Sequence, residues 1–95
     1  MSEVRLSADA VKDLDRMIIT HSLPPDTRER VRSSLRCLEQ FPRIGPQLEG
    51  RWAPLRFILG PWRWMLIIYS YEELDDLVLV VGFQDARSSA AATAP

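Results

Sequence analysis

Apolar residues near the start of the chain recur at helical spacing. Val11, Leu14 and Ile18 lie three and four positions apart, and the charged residues around them fall mostly on other faces. This pattern predicts an amphipathic helix over residues 8–21. Ser7 precedes the helix and is the expected N-cap, because its hydroxyl can accept a hydrogen bond from a free amide of the first turn.

A second amphipathic helix is predicted over residues 26–40. Its apolar stripe consists of Val31, Leu35 and Leu38, and Pro25 stands where a proline commonly opens a helix. Two amphipathic helices joined by a short connection form a hairpin, and their apolar stripes must be buried against another element.

That other element is predicted to be a sheet, because the second half of the chain turns to apolar, β-branched runs broken by glycine, proline and acidic turns. An amino-terminal strand and a three-stranded antiparallel meander would form one sheet, with the helices on one face. This order defines an α+β fold. The predicted strands cover residues 3–6, 54–59, 62–71 and 77–83.

The sequence also predicts which apolar residues pack between the helices and the sheet. The helical residues Val11, Leu14, Ile18, Val31, Leu35 and Leu38 are expected to face Leu66, Ile68, Leu79 and Val81. If Leu79 lies in this core, its replacement by alanine should be as costly as other core truncations.

Length and composition indicate one domain. The chain has 95 residues, and we expect residues 1–87 to form the domain and residues 88–95, rich in alanine and serine, to be a flexible tail. No apolar run reaches the roughly 18–20 residues that span a bilayer. The amino-terminal residues lack the pattern of a secretory signal, so a cytoplasmic location is expected.

The composition also argues against several kinds of site. Cys37 and His21 are the only cysteine and histidine. We therefore expect no metal and no cofactor, a plain thiol at Cys37, and no catalytic pair at His21. The net charge is −1, from 12 basic and 13 acidic residues, so nucleic acid would need a local basic patch.

Arg63 is the first candidate site residue. It lies between Trp62 and Trp64 at the head of an apolar strand, and alternation would place the arginine on one sheet face and the tryptophans on the other. A planar guanidinium there could meet a phosphate, another anion or an acidic partner. The alternative is a structural salt bridge to Glu49 or Asp85.

A stripe of arginines on the second helix is the next candidate. Arg28, Arg32 and Arg36 lie four apart, so their charges stack on one helical face. The stripe is either a solvated face relieved by Glu29 and Glu39 or a docking surface for an acidic partner.

Several short motifs follow one another along the chain. They are Leu6-Ser7-Ala8-Asp9-Ala10, Leu38 to Phe41 with Pro42 and Gly45, Leu48-Glu49-Gly50, Leu55-Arg56, Trp62-Arg63, Val81-Gly82 and Arg87-Ser88. In this order and at this chain length, the motifs resemble the RelE/ParE superfamily of toxins from type II toxin–antitoxin modules, over roughly residues 3–88. The resemblance implies the α+β fold described above and an antitoxin that wraps the toxin and inhibits it, and it allows higher-order toxin–antitoxin oligomers.

The resemblance also implies a target, either messenger RNA on the ribosome, which RelE-like members cut, or DNA gyrase, which ParE-like members inhibit. Arg56, Arg63 and Arg87 match the family's arginine positions and are expected to converge on one sheet face. Cutting RNA also needs an acid and a base. The predicted sheet has no lysine, no tyrosine or histidine follows Arg87, and only Glu49 or Asp85 is left as a base.

A ParE-like or non-nucleolytic toxin is therefore the favoured interpretation. A RelE-like endoribonuclease is the alternative. A non-toxic interaction module, which would dock a partner strand or helix, is a further alternative.

Overall fold

The structure, a computed structural model, describes residues 1–94. Pro95, the last residue of the predicted tail, lies outside the described residues. The four-stranded sheet has the order β1-β4-β3-β2, with β1 parallel to β4 and the other pairs antiparallel. The predicted α+β fold is confirmed. Its elements are β1 (Glu3–Leu6), α1 (Ala8–Thr20), α2 (Thr27–Leu35), α3 (Cys37–Gln40), β2 (Arg56–Leu59), β3 (Met65–Glu72) and β4 (Leu77–Asp85).

The structure confirms the first predicted helix but divides the second into two. The Ser7 side chain accepts a hydrogen bond from the Ala10 amide at 3.0 Å, which confirms the predicted N-cap of α1. The second predicted helix is divided into α2 and α3 at Arg36. There the Arg36 amide donates to Ser33 and the Glu39 amide to Arg36, and such i to i+3 bonds tighten the helix locally.

The sheet is buried on both faces, and this makes the predicted packing wrong in part. On the helical face, α1, α2 and α3 pack against Met65, Ile67 and Tyr69 of β3 and Val78, Val80 and Phe83 of β4. The residues predicted for that face, Leu66, Ile68 and Val81, belong to a second apolar cluster with Leu48 and Ala91. Val11 is 44% exposed, and Leu79 is only partly buried.

The error has two physical causes. Met65 to Tyr69 are all buried, so β3 shows no alternation from which a face could be read. In addition, Ile68 pairs with Gly82 whereas Tyr69 pairs with Val80, so Val81 is an extra residue in β4. A β-bulge of this kind shifts the alternation by one position.

Helix α1 takes over where β1 ends and covers the remaining edge of β4. The Ser7 amide donates to the Val80 carbonyl at 2.9 Å, and the Phe83 amide donates to the Asp13 carboxylate at 3.2 Å. These bonds satisfy edge groups of β4 that β1 is too short to reach. As a result, the carboxyl end of α1 lies beside the carboxyl end of β4.

The carboxyl-terminal residues contact the face of the sheet that the helices leave open. Ala91 is buried in the second cluster, and the Ala92 amide donates to the Gln84 side chain at 2.7 Å. The flexibility of residues 88–95 stays a prediction. Within residues 1–94, no helix combines the length and the apolar character needed to cross a membrane.

Candidate functional site

The sheet end formed by the start of β3 and the end of β4 carries two of the three predicted arginines. Met65 pairs with Asp85, so Arg63 and Arg87 stand at the same end of the sheet. Arg56 pairs with Tyr69, four residues further along β3, which corresponds to about 13 Å at the usual strand rise. The structure therefore brings two arginines to one end, and convergence of all three stays a prediction.

Arg56 has a structural role at its own position. Its guanidinium donates to the carbonyls of Arg43 and Gly45, at 3.2 and 2.7 Å. Gly45 also donates its amide to the Tyr69 hydroxyl at 3.0 Å. Arg56 therefore fixes the loop before β2 against the sheet.

Arg87 is held in a defined orientation by Asp85. The Arg87 Nε donates to Oδ1 at 2.9 Å and Nη2 donates to Oδ2 at 2.7 Å, which is a bidentate pair. The Arg87 guanidinium carbon also lies 4.8 Å from the centre of the Trp64 ring. Arg87 is nevertheless an exposed side chain. It is thus an oriented cation that remains open to a ligand.

The predicted separation of the arginines from the tryptophans is wrong for Arg87. Trp62 and Trp64 precede β3 in an irregular segment, so strand alternation does not govern them. Their rings stack on each other at 6.0 Å, and both pack against the helical-face core. Arg87 lies over Trp64 on that same side.

His21 is the site residue that the sequence did not indicate. Its ring stacks on Trp64 at 4.8 Å and 9°, its Nε2 is 3.0 Å from Asp85 Oδ2, and its Nδ1 is 2.9 Å from Thr20 Oγ1. His21 and Asp85 are 64 positions apart, so no spacing signal joins them. Only the packing of α1 along β4 does so.

The charge state of Asp85 follows from these contacts. The bonds from Arg87, supported by the bond from His21, hold the pKa of the Asp85 carboxyl well below its usual range, although burial opposes this. Asp85 is therefore ionised at neutral pH, and both of its oxygens accept hydrogen bonds. Such a carboxylate is a poor proton acceptor.

Arg63, by contrast, is exposed. In residues 1–94 it makes no salt bridge and no side-chain hydrogen bond, so the alternative that it pairs with Glu49 or Asp85 is wrong. Glu49, which is the candidate base besides Asp85, is exposed and lines a cleft together with residues 89–94.

Among residues 1–94, no cluster of His, Cys, Asp or Glu side chains could hold a metal ion.

The arginine stripe on the second helix is divided by its ion pairs. Arg28 bonds to Asp15 of α1 at 2.6 Å. Arg32 and Arg36 are exposed, and neither has an ion-pair partner within residues 1–94. The docking role of the three arginines stays a prediction.

We expect Asp85→Asn to reduce the acid sensitivity of the fold. A carboxyl whose pKa is lowered by folding contributes stability above its unfolded pKa of about 4, and this contribution is lost as the pH falls through the folded pKa. Urea unfolding of the wild type should therefore weaken from pH 5 towards pH 2.5, and the variant should weaken less.

The matched control for this prediction is Asp75→Asn. Asp75 is an exposed aspartate in the turn between β3 and β4. Its replacement should leave the pH dependence unchanged. Identical pH profiles for Asp85→Asn and the wild type would show that the Asp85 contacts do not stabilise the fold.

The structure is similar to solved structures of toxins. The isolated RelE toxin of E. coli matches with a TM-score of 0.68 and 18% identity, over 95% of this chain and 89% of that one. A copper-bound mutant toxin from Helicobacter pylori matches with a TM-score of 0.63 and 18% identity, over 90% and 94%. The archaeal RelE–RelB complex from Pyrococcus horikoshii OT3 gives 0.60 and 22%, over 92% and 98%.

These likenesses define the class of fold. No protein-family model matches the chain, and no curated protein matches it. At 18–22% identity the similarity carries the fold and not the activity. The chain therefore has the fold of RelE toxins.

Proposed function

We propose that the chain is the toxin subunit of a type II toxin–antitoxin module, held inactive in the cytoplasm by a cognate antitoxin. The observation that carries this proposal is the match to the isolated RelE toxin over 95% of the chain. The exposed Arg63 and the oriented Arg87 at one sheet end support it, because both are available to a target.

The mode of action that we favour is inhibition without cutting RNA, as in ParE-like inhibitors of DNA gyrase. Attack by a 2′-hydroxyl needs one group to take a proton and another to give one. Asp85 is ionised and bonded to Arg87, His21 has partners at both ring nitrogens, and arginines stay protonated. The engagement of Asp85 and His21 at this sheet end is what supports a non-nucleolytic action.

The second candidate is a ribosome-dependent mRNA endoribonuclease. It is favoured by the RelE toxins among the similar structures and by the two exposed arginines, which could stabilise a phosphorane. The third candidate is a non-toxic interaction module that shares only the fold.

Induction of the chain in bacteria distinguishes the three candidates. Growth, amino-acid incorporation and plasmid supercoiling should be followed together from the moment of induction. A ParE-like toxin is expected to stop growth and change supercoiling while translation continues at first. A ribosome-dependent nuclease would instead stop translation within minutes and produce cleaved messenger RNA.

Expression of the protein must be confirmed by immunoblot in every arm. Normal growth at a high level of folded protein would contradict the toxin proposal and favour the interaction module. Co-expression of the short acidic reading frame expected beside a toxin gene should restore growth, which provides the positive control for neutralisation.

A further inference from the structure

A small apolar groove opens between α1 and α2, away from the sheet end that carries Arg63 and Arg87. Its volume is about 160 Å³. Two of its apolar lining residues remain accessible to solvent: Val11 of α1 is 44% exposed, and Leu6 at the end of β1 is 36% exposed. The apolar lining consists of Leu6, Val11, Leu14, Val31 and Leu35.

The rim of the groove is charged, and the charge is not balanced. Asp15 and Arg28 bond across the two helices at 2.6 Å and neutralise each other on one wall. Arg32 also lines the groove, and within residues 1–94 no carboxylate pairs with it. Arg36 follows one helical turn later and retains helical dihedral angles, φ −60° and ψ −34°.

We propose that this groove anchors one large apolar side chain of an acidic amphipathic helix from a partner protein. A cavity of roughly 150 Å³ holds one benzene ring, so a leucine or phenylalanine side chain has the right size. A helix suits a groove between two helices, because its apolar residues at i, i+3 and i+4 form a narrow stripe.

Charge complementarity sets the chemistry of the partner. Arg32 and Arg36 are four residues apart, so two carboxylates four apart on the partner helix have the matching spacing. Rim charges of this kind act mainly on the rate of association, and the buried anchor acts on the affinity. The inference deepens the proposed function and rests on it in taking the partner to be the antitoxin; the docking chemistry itself does not depend on toxicity.

The test uses purified full-length protein and a synthetic probe. The probe is an 18-residue, fluorescein-labelled helical peptide with one central leucine anchor and glutamates four residues apart beside it. We expect saturable binding by fluorescence anisotropy. Binding should weaken about tenfold with Arg32→Glu plus Arg36→Glu, and it should be lost with Val11→Glu.

Two controls make the result specific. Arg51→Glu, at an exposed arginine outside the groove, should bind the probe like the wild type. A probe with serine in place of the leucine anchor should bind at least tenfold more weakly. Circular dichroism must show that each variant is folded, and Val11→Ser provides a milder change if Val11→Glu does not fold.

Equal binding by the wild type, the double arginine variant and folded Val11→Glu or Val11→Ser would overturn the proposal. Self-association that Val11→Glu abolishes in sedimentation, without probe binding, would overturn it in favour of a second copy of the chain. Probe binding without growth inhibition would remove the toxin proposal and keep the groove. Growth inhibition without probe binding would do the reverse.

Discussion

Arg63→Ala is expected to abolish growth inhibition while the free energy of unfolding stays within about 0.5 kcal/mol of the wild type. Arg63 is exposed, and within residues 1–94 no carboxylate pairs with it. Its neighbours Trp62 and Trp64 hold the segment through stacking and core contacts that do not involve Arg63. The guanidinium is therefore available to bind a target and contributes little to the fold.

Both quantities must be measured on the same variant. Urea unfolding followed by tryptophan fluorescence gives the stability, and colony counts after induction give the toxicity. Arg5→Ala is the matched control, because Arg5 is an exposed arginine on β1 at the opposite edge of the sheet from β2. It should remain toxic.

A large loss of stability in Arg63→Ala would end the claim that this arginine serves function. Arg63→Lys refines a positive result. Lysine keeps the charge but cannot make planar bidentate bonds, so retained toxicity would point to a simple point charge and lost toxicity to bidentate recognition.

The order of the elements could be predicted because each has a local signature. The helical period around Leu14 and Val31 and the Ser7 cap act within a few residues, and the structure confirms the fold class that follows from them. The division of the second helix at Arg36 has no such signature, because the residues around it are ordinary for a helix interior.

The sequence could predict only part of the candidate site, namely the two arginines at one end of the sheet. Arg63 stands out because tryptophans flank it, and Arg87 is indicated only by the resemblance to the toxin family. The long-range contacts of His21 and Arg28 could not be predicted in the same way. His21 reaches Asp85 through the packing of α1 on β4, and Asp15 reaches Arg28 across the helical hairpin. Both pairings depend on tertiary contacts that no spacing encodes.

Ile67→Ala is expected to lower the free energy of unfolding by about 2–5 kcal/mol, which is the usual cost of removing a large buried side chain. Ile67 is fully buried, and its β3 position pairs with Ile58 of β2 and Phe83 of β4. A cavity there lies between two strands and the helices, so the surroundings have little freedom to collapse. Such a loss is a large part of the 5–15 kcal/mol that holds a typical domain together.

Leu79→Ala is the matched comparison, because the sequence alone assigned Leu79 to this core. Leu79 is partly buried, and its β4 position pairs with Arg5 of β1 and Ser70 of β3. Because Leu79 is only partly buried, its truncation should lose about half of the transfer free energy of a fully buried leucine side chain. The expected decrease in the free energy of unfolding is therefore about 1 kcal/mol. Urea unfolding of both variants measures the difference. If Leu79→Ala is the more destabilising of the two, the alternation beyond the bulge at Val81 is assigned to the wrong faces, and the helices pack on the side of the sheet that carries Leu66 and Ile68.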